Sequence, residues 1–132
     1  MTRETVPPAM ITFNEGLPGF ETYRQYQLMV SPESDPFAIV RGVGPEGPSF
    51  VAIDPARVVA GYALVIDPAD LVRLGSDGSE QLLFLCIVTV HEDGRASVNL
   101  RAPLVINPAS LRGIQLVTPE SPYRIDHPLR AA

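Results

Sequence analysis

Only a few residue types in this chain could form or break bonds, and their spacing argues against each chemistry in turn. His91 and His127 are the only histidines and stand 36 residues apart. With a single cysteine and no Cys-x-x-Cys, they do not make a zinc-ligand spacing. Cys86 sits inside the apolar run Leu82-Leu83-Phe84-Leu85-Cys86-Ile87-Val88, where it reads as a small buried hydrophobe and not as a nucleophile. No Gly-x-Ser-x-Gly turn presents a serine, and the acidic pair Asp67 and Asp70 fits the start of a helix. Gly42-Val43-Gly44-Pro45-Glu46-Gly47 has the spacing of a dinucleotide loop, which works only when helix amides follow it. Here Pro48-Ser49-Phe50-Val51 follows and reads as a strand, while Pro45 and Glu46 would put a rigid ring and a negative charge where phosphate should lie. The glycines therefore read as a hairpin loop. The expectation is no catalytic residue, no metal ligand, no cofactor and no enzyme.

Charge points in another direction. Ten arginines, no lysine and fifteen acidic residues leave a formal charge of −5. A protein that grips phosphate backbones shows clustered basic charge, so direct nucleic-acid binding is not expected. The acid gathers at loop tips: Glu33 with Asp35, Asp77 with Glu80, Glu92 with Asp93. Such groups either keep a protein in solution or face a basic partner.

These side chains must be held by short elements, because fourteen prolines and ten glycines punctuate the whole chain. Ile11–Phe13, Gln27–Val30, Phe37–Val40, Phe50–Ile53, Tyr62–Ile66, Leu82–Val90 and Ile114–Val117 read as strands. Turn chemistry recurs about every ten residues, which predicts an all-β, mostly antiparallel, small barrel-like fold. Leu82–Val90 and Arg95–Leu100 make a hairpin about Asp93-Gly94, glycine accepting the positive φ of the turn. The outgoing strand is apolar on both faces, as a strand covered from both sides would be. On the return strand Ala96, Val98 and Leu100 share one face, and Arg95, Ser97, Asn99 and Arg101 the other. One short helix is expected over Asp67–Leu74, with Asp67 as cap, Pro68 in its first turn and Gly75 at its stop. The pattern Ile-Asx-Pro-Ala occurs at Ile53, Ile66 and Ile106, and its unequal offsets predict repeated strand exits capped by Asx, not a solenoid.

At 132 residues the chain fits a single domain over 1–132, with a core over roughly 11–128 and a flexible lead over 1–9. The longest apolar stretch, Leu82 to Val90, is less than half the roughly twenty residues of a spanning helix, so no membrane association is expected. The N-terminus carries no apolar signal region, and one unpaired cysteine suits a reducing compartment; the expected location is cytoplasmic.

Two segments are more specific than the rest: Gly16-Leu17-Pro18-Gly19-Phe20-Glu21 after the first strand, and Asn99-Leu100-Arg101-Ala102-Pro103-Leu104-Val105-Ile106-Asn107 after the hairpin. With Ile11-Thr12-Phe13, Gln115 and Tyr123, they resemble the flagellar assembly factor FliW family over roughly residues 11 to 128. The departures are a proline-rich lead, the absence of lysine and the glycine-rich loop at Gly42–Gly47. The resemblance implies a non-enzymatic cytoplasmic regulator that binds the carbon storage regulator CsrA, relieves its repression of flagellin mRNA, and also binds flagellin. An acidic protein suits CsrA, whose RNA face must be basic.

Candidate partner contacts are Leu17, Pro18, Phe20, Glu92, Asp93, Asn99 and Arg101. Gly16–Phe20 is either an exposed recognition loop or a strand-closing turn whose Leu17 and Phe20 fill the barrel mouth. Asn99 and Arg101 lie on a polar strand face that meets a partner or only water. Two other classes compete: a small barrel that binds a ligand or is an unrecognised enzyme, and an OB-like nucleic-acid binder. The second lacks tryptophan for stacking and has the wrong sign of charge.

Overall fold

The computed structural model describes residues 9–79 and 81–129. Most of the lead expected over 1–9 lies outside the described residues, and Ala9 opens the first strand. In chain order the strands are β1 (Ala9–Thr12), β2 (Gln25–Val30), β3 (Phe37–Gly42), β4 (Ser49–Ile53), β5 (Leu83–Val90), β6 (Ala96–Val98), β7 (Leu104–Asn107), β8 (Arg112–Gln115) and β9 (His127–Leu129). A 3-10 turn, Pro55–Arg57, and one helix, α1 (Pro68–Arg73), stand between β4 and β5.

β1 to β4 form an antiparallel meander, and β4 pairs with β5. The first half of β5 pairs with β7, and β7 with β8. A parallel contact at Thr12 and Arg112 joins β8 back to β1 and closes a seven-stranded barrel. The second half of β5 runs past the barrel and carries β6, which in turn carries β9. The expected all-β, mostly antiparallel barrel with one short helix is what the chain forms. Strands β7 and β9 go beyond the segments read as strands from the sequence.

Packing explains why β5 is apolar on both faces. Leu85 points into the barrel with Ile11, Phe13, Tyr26, Val40 and Leu104, and Leu83 and Ile87 pack against the same cluster. On the other face Cys86 joins Ile53, Val98 and Leu100. Phe84 packs against a third cluster of Leu74, Val105, Ile114 and Leu116. Something must cover that outer face, and the segment expected to be a strand, Tyr62–Ile66, does so instead. It makes no ladder; Tyr62 packs on the Cys86 cluster, and Leu64 and Ile66 on the Leu74 cluster. Its alternating apolar pattern records a strap with every second side chain turned in, which period-2 reasoning cannot distinguish from a paired strand. Tyr62 and Tyr123 anchor it, through Tyr62 Oη donating to the Leu100 carbonyl at 2.7 Å and the Ala63 amide donating to Tyr123 Oη at 3.0 Å.

The helix is set by its ends. Pro68 begins it, but Asp67 makes no side-chain cap bond, in contrast to its expected role. At the other end Gly75, at φ +63°, lets the Ser76 amide reach the Leu71 carbonyl at 2.9 Å and its own amide reach Val72 at 2.9 Å. That pair of bonds stops the helix and turns Leu74 inward, where it is fully buried. Asp54 and Asn107 do cap their exits, accepting from the Ala56 and Ala109 amides at 2.9 Å each. Gly42–Gly47 is the β3–β4 hairpin loop, as expected.

Candidate partner-binding surface

The segment Gly16–Phe20 divides the two roles considered for it. Gly16 takes φ +67°, and a methyl group there would lie 2.7 Å from Glu21 Cα, so only glycine fits. Pro18 and Gly19 then make a turn closed by the Phe20 amide donating to the Leu17 carbonyl at 2.8 Å, with Gly19 at φ +86°. Leu17 is only 2 % exposed and belongs to the barrel core, whereas Pro18 is exposed and Phe20 is 39 % exposed. Phe20 stands edge-on to Phe50, ring centroids 5.5 Å apart. The Gly19 amide donates to Glu21 Oε2 at 3.0 Å and holds that carboxyl below its ordinary pKa. One residue of the loop thus plugs the barrel while its neighbours stay available to a partner.

Asn99 and Arg101 are drawn into the chain's own backbone. Asn99 Oδ1 accepts from the Arg101 and Ala102 amides at 3.2 and 3.1 Å. Arg101 Nε donates to the Tyr123 carbonyl at 3.0 Å, and a terminal nitrogen to Ser121 at 3.4 Å. Gln115 Nε2 donates to the Ala102 carbonyl at 3.1 Å. Both Asn99 and Arg101 are half-buried, so their strand face is not open to water as a whole. Ser97, on the same face, is buried, and its Oγ lies 2.9 Å from His91 Nε2. The strand expected over Arg95–Leu100 is formed only over Ala96–Val98; beyond it Asn99 and Arg101 turn onto the backbone, and β9 takes the outer edge of β6.

Asn107 closes the motif and is fully buried. Its Nδ2 donates to the Leu74 carbonyl at 3.0 Å, tying β7 to the end of the helix. Nothing in the sequence alone marks Asn107 off from the other two Asx exits, since only the fold puts a carbonyl opposite it.

The turn acids Glu92 and Asp93 stand exposed at the tip of the β5–β6 hairpin. Arg95 donates to Asp93 from its amide at 3.0 Å and from Nε at 2.6 Å, which holds the Asp93 carboxyl below its ordinary pKa. Beneath this tip an open groove of about 1200 Å³ runs between the hairpin, β9 and the ends of β3 and β4. Arg57, Arg95 and Arg124 line it; Arg95 is expected on the polar face of the return strand, but none of the three is among the candidate contacts. Arg95 and Arg124 each stand two residues from the aspartate they pair with, whereas Arg57 pairs with Asp35, 22 residues away, which no local pattern signals.

Cys86 is fully buried, and burial pushes its thiol up to about 12, with Tyr62 within side-chain hydrogen-bonding reach. A thiolate is the reactive form, so native Cys86 is expected to label very slowly at pH 8 and fast once unfolded. Because the folded value lies above the unfolded one, near 9, the thiol's contribution to stability is complete below pH 9 and is lost as pH rises toward about 12. A thiol-disulfide colour assay with and without denaturant checks this; rapid native labelling would show that the outer face of β5 opens. Among the described residues no three His, Cys, Asp or Glu side chains gather closely enough to hold a metal ion. No helix there is long and apolar enough to cross a membrane.

Comparison with known proteins places this arrangement. The model of the FliW protein family matches residues 2–129. A flagellar assembly factor FliW of Natranaerobius thermophilus is 36 % identical over 122 residues, covering 91 % of this chain and 81 % of the relative. That of Syntrophotalea carbinolica is 33 % identical over 125 residues, covering 95 % and 89 %. A crystal structure of the flagellar assembly factor FliW superposes with a TM-score of 0.81 at 29 % identity, over 90 % of this chain and 84 % of that one. The match over nearly the whole chain, in sequence and in fold, is decisive: the chain belongs to the FliW family of flagellar assembly factors.

Proposed function

We propose that this flagellar assembly factor is a single-domain cytoplasmic regulator that acts by binding proteins. It antagonises CsrA, so that flagellin mRNA is translated, and it also binds flagellin, whose export releases it to act on CsrA. The observation that carries the reading is the family fold extending over nearly the whole chain, joined to an acidic surface with exposed carboxylates on a projecting hairpin. Among the candidate contacts, Pro18, Phe20, Glu92 and Asp93 are exposed. Leu17, Asn99 and Arg101 serve a partner indirectly, by fixing the loops on which those residues stand.

CsrA must be basic to hold RNA, and opposite potentials raise association rates more than they lower dissociation rates. Raising salt from about 50 to 500 mM should therefore slow CsrA association on the order of tenfold, with dissociation changing much less. Glu92→Gln with Asp93→Asn should slow association in the same sense without unfolding the protein, since such exposed changes rarely exceed about half a kcal/mol. Surface plasmon resonance with purified CsrA checks both. A pull-down of the tagged protein from its own host that recovers neither CsrA nor flagellin would sink the reading.

A further inference from the structure

The strap over residues 62–66 crosses the outer face of the barrel without joining it. Every barrel strand is already paired on both edges, so the strap has no ladder to enter. Tyr62, Leu64 and Ile66 turn in over the Cys86 and Leu74 clusters, while Ala63 and Val65 turn out, Val65 being 88 % exposed. Among the described residues, no hydrogen bond reaches the main chain of Leu64, Val65 or Ile66. An extended segment held in this way by side chains opens at lower cost than one held in a ladder.

Neither end of the strap is braced. Gly61 stands at φ +75° with open space where a Cβ would point, and Asp67 gives the helix no side-chain cap bond. What holds the strap is a post made by Leu100, Arg101 and Tyr123. Tyr62 Oη donates to the Leu100 carbonyl at 2.7 Å, and the Ala63 amide donates to Tyr123 Oη at 3.0 Å. The two tyrosine rings lie 4.4 Å apart between centroids, tilted by 31°. Arg101 Nε fixes Tyr123 in turn, donating to its carbonyl at 3.0 Å.

We propose that the strap is a latch, released from the Leu100–Arg101–Tyr123 post while the barrel stays folded. Release lifts Tyr62, Leu64 and Ile66 and bares the apolar outer face of the barrel, with Cys86 of β5, Val105 of β7 and Ile114 of β8 on it. The chain thereby offers or withholds an apolar surface with no change in its strand pairing. Arg101 and Tyr123, two of the residues that make the sequence recognisable, then set how often the latch opens.

The test follows labelling of Cys86 in the full chain by methyl methanethiosulfonate, a small thiol reagent, at one pH and at urea concentrations below the unfolding transition. Labelling should be slow, and its rate should rise with urea less than about half as steeply as global unfolding does, because the latch uncovers only a small part of the surface. Tyr123→Phe keeps the ring but removes the acceptor for the Ala63 amide, and should speed labelling about fivefold. Gly113→Ala sets a methyl 2.6 Å from Phe13 Cε2 inside the barrel, which weakens the barrel and leaves the latch alone. Its labelling without urea should therefore stay within about twofold of the wild type. If Gly113→Ala instead speeds labelling about a hundredfold, in step with its cost to the whole fold, Cys86 is bared only by global unfolding and the proposal falls. A Tyr123→Phe rate within about twofold of the wild type overturns it as well. Should Gly113→Ala not fold, Phe13→Leu weakens the same core and is read in the same way, with about tenfold in place of a hundredfold.

Discussion

Asn107→Ala is expected to lower stability by about 3 kcal/mol, or roughly 10 °C in Tm for a domain of this size. The side chain has no exposed surface and makes two hydrogen bonds to the main chain. Its amide nitrogen holds the Leu74 carbonyl, and its oxygen holds the Ala109 amide. Each bond contributes about 1 kcal/mol net, and truncation adds a small cavity. Ser110 Oγ also donates to the Leu74 carbonyl, at 2.6 Å, which keeps the loss from being larger. Asn107→Asp sharpens the point. It keeps the acceptor for Ala109 but sets a carboxylate against the Leu74 carbonyl, so burial raises its pKa and the variant loses stability as pH rises through that value. Urea denaturation at pH 5 and pH 8 checks both variants; an alanine variant within about 2 °C of wild type would show that the bonds carry no weight.

Gly113→Ala is expected to cost about 3 kcal/mol for a single methyl group. That methyl would lie 2.6 and 2.7 Å from Phe13 Cε2 and Cζ, and 3.1 Å from Ile11 Cγ2. Phe13 cannot retreat: it is 1 % exposed and stands edge-on to Tyr26, ring centroids 5.4 Å apart. The contact sits where β8 meets β1, a seam with one register pair, Thr12 with Arg112. The Thr12 amide donates to the Leu111 carbonyl at 2.9 Å across this short seam, and side-chain packing closes the barrel beside it. Phe13→Leu alone should cost about 1–2 kcal/mol by leaving a void, and in that background Gly113→Ala should be close to neutral. The expected coupling of about 2 kcal/mol is read from a double-mutant cycle of urea midpoints. Costs that simply add would place the strain elsewhere.

Much of this fold was legible because its signals are local. Hairpin glycines, Asx-Pro exits and alternating strands each act within a few residues, and β5 announced its two covered faces by being apolar throughout. What covers those faces was not legible. Tyr62–Ile66 has the composition and period of a strand, and only the prior closure of the barrel leaves it without an edge to join. Ser97 sits on a polar face as expected, but its hydroxyl meets His91, and β9 arrives from about thirty residues away to take the edge of β6, which short-range patterns cannot see. The same distance hides the groove. Arg57, Arg95 and Arg124 are scattered through the sequence and meet only because β4, the β5–β6 hairpin and β9 converge. The glycines and Leu17 of Gly16–Phe20 announce the turn, whereas the exposure of Phe20 depends on where Phe50 stands.

The segment that makes this chain recognisable has a consequence for how such proteins diverge. Asn99, Arg101, Asn107 and Gln115 direct their hydrogen bonds at the chain's own main chain, and main chain is the same whatever side chains it carries. Those four positions therefore place no demand on the identity of the exposed residues around them. The exposed residues around them can be redrawn while those four positions stay as they are. Kinship and partner choice are thereby written in separable parts of one small barrel, and relatives alike in the first are free to differ in the second.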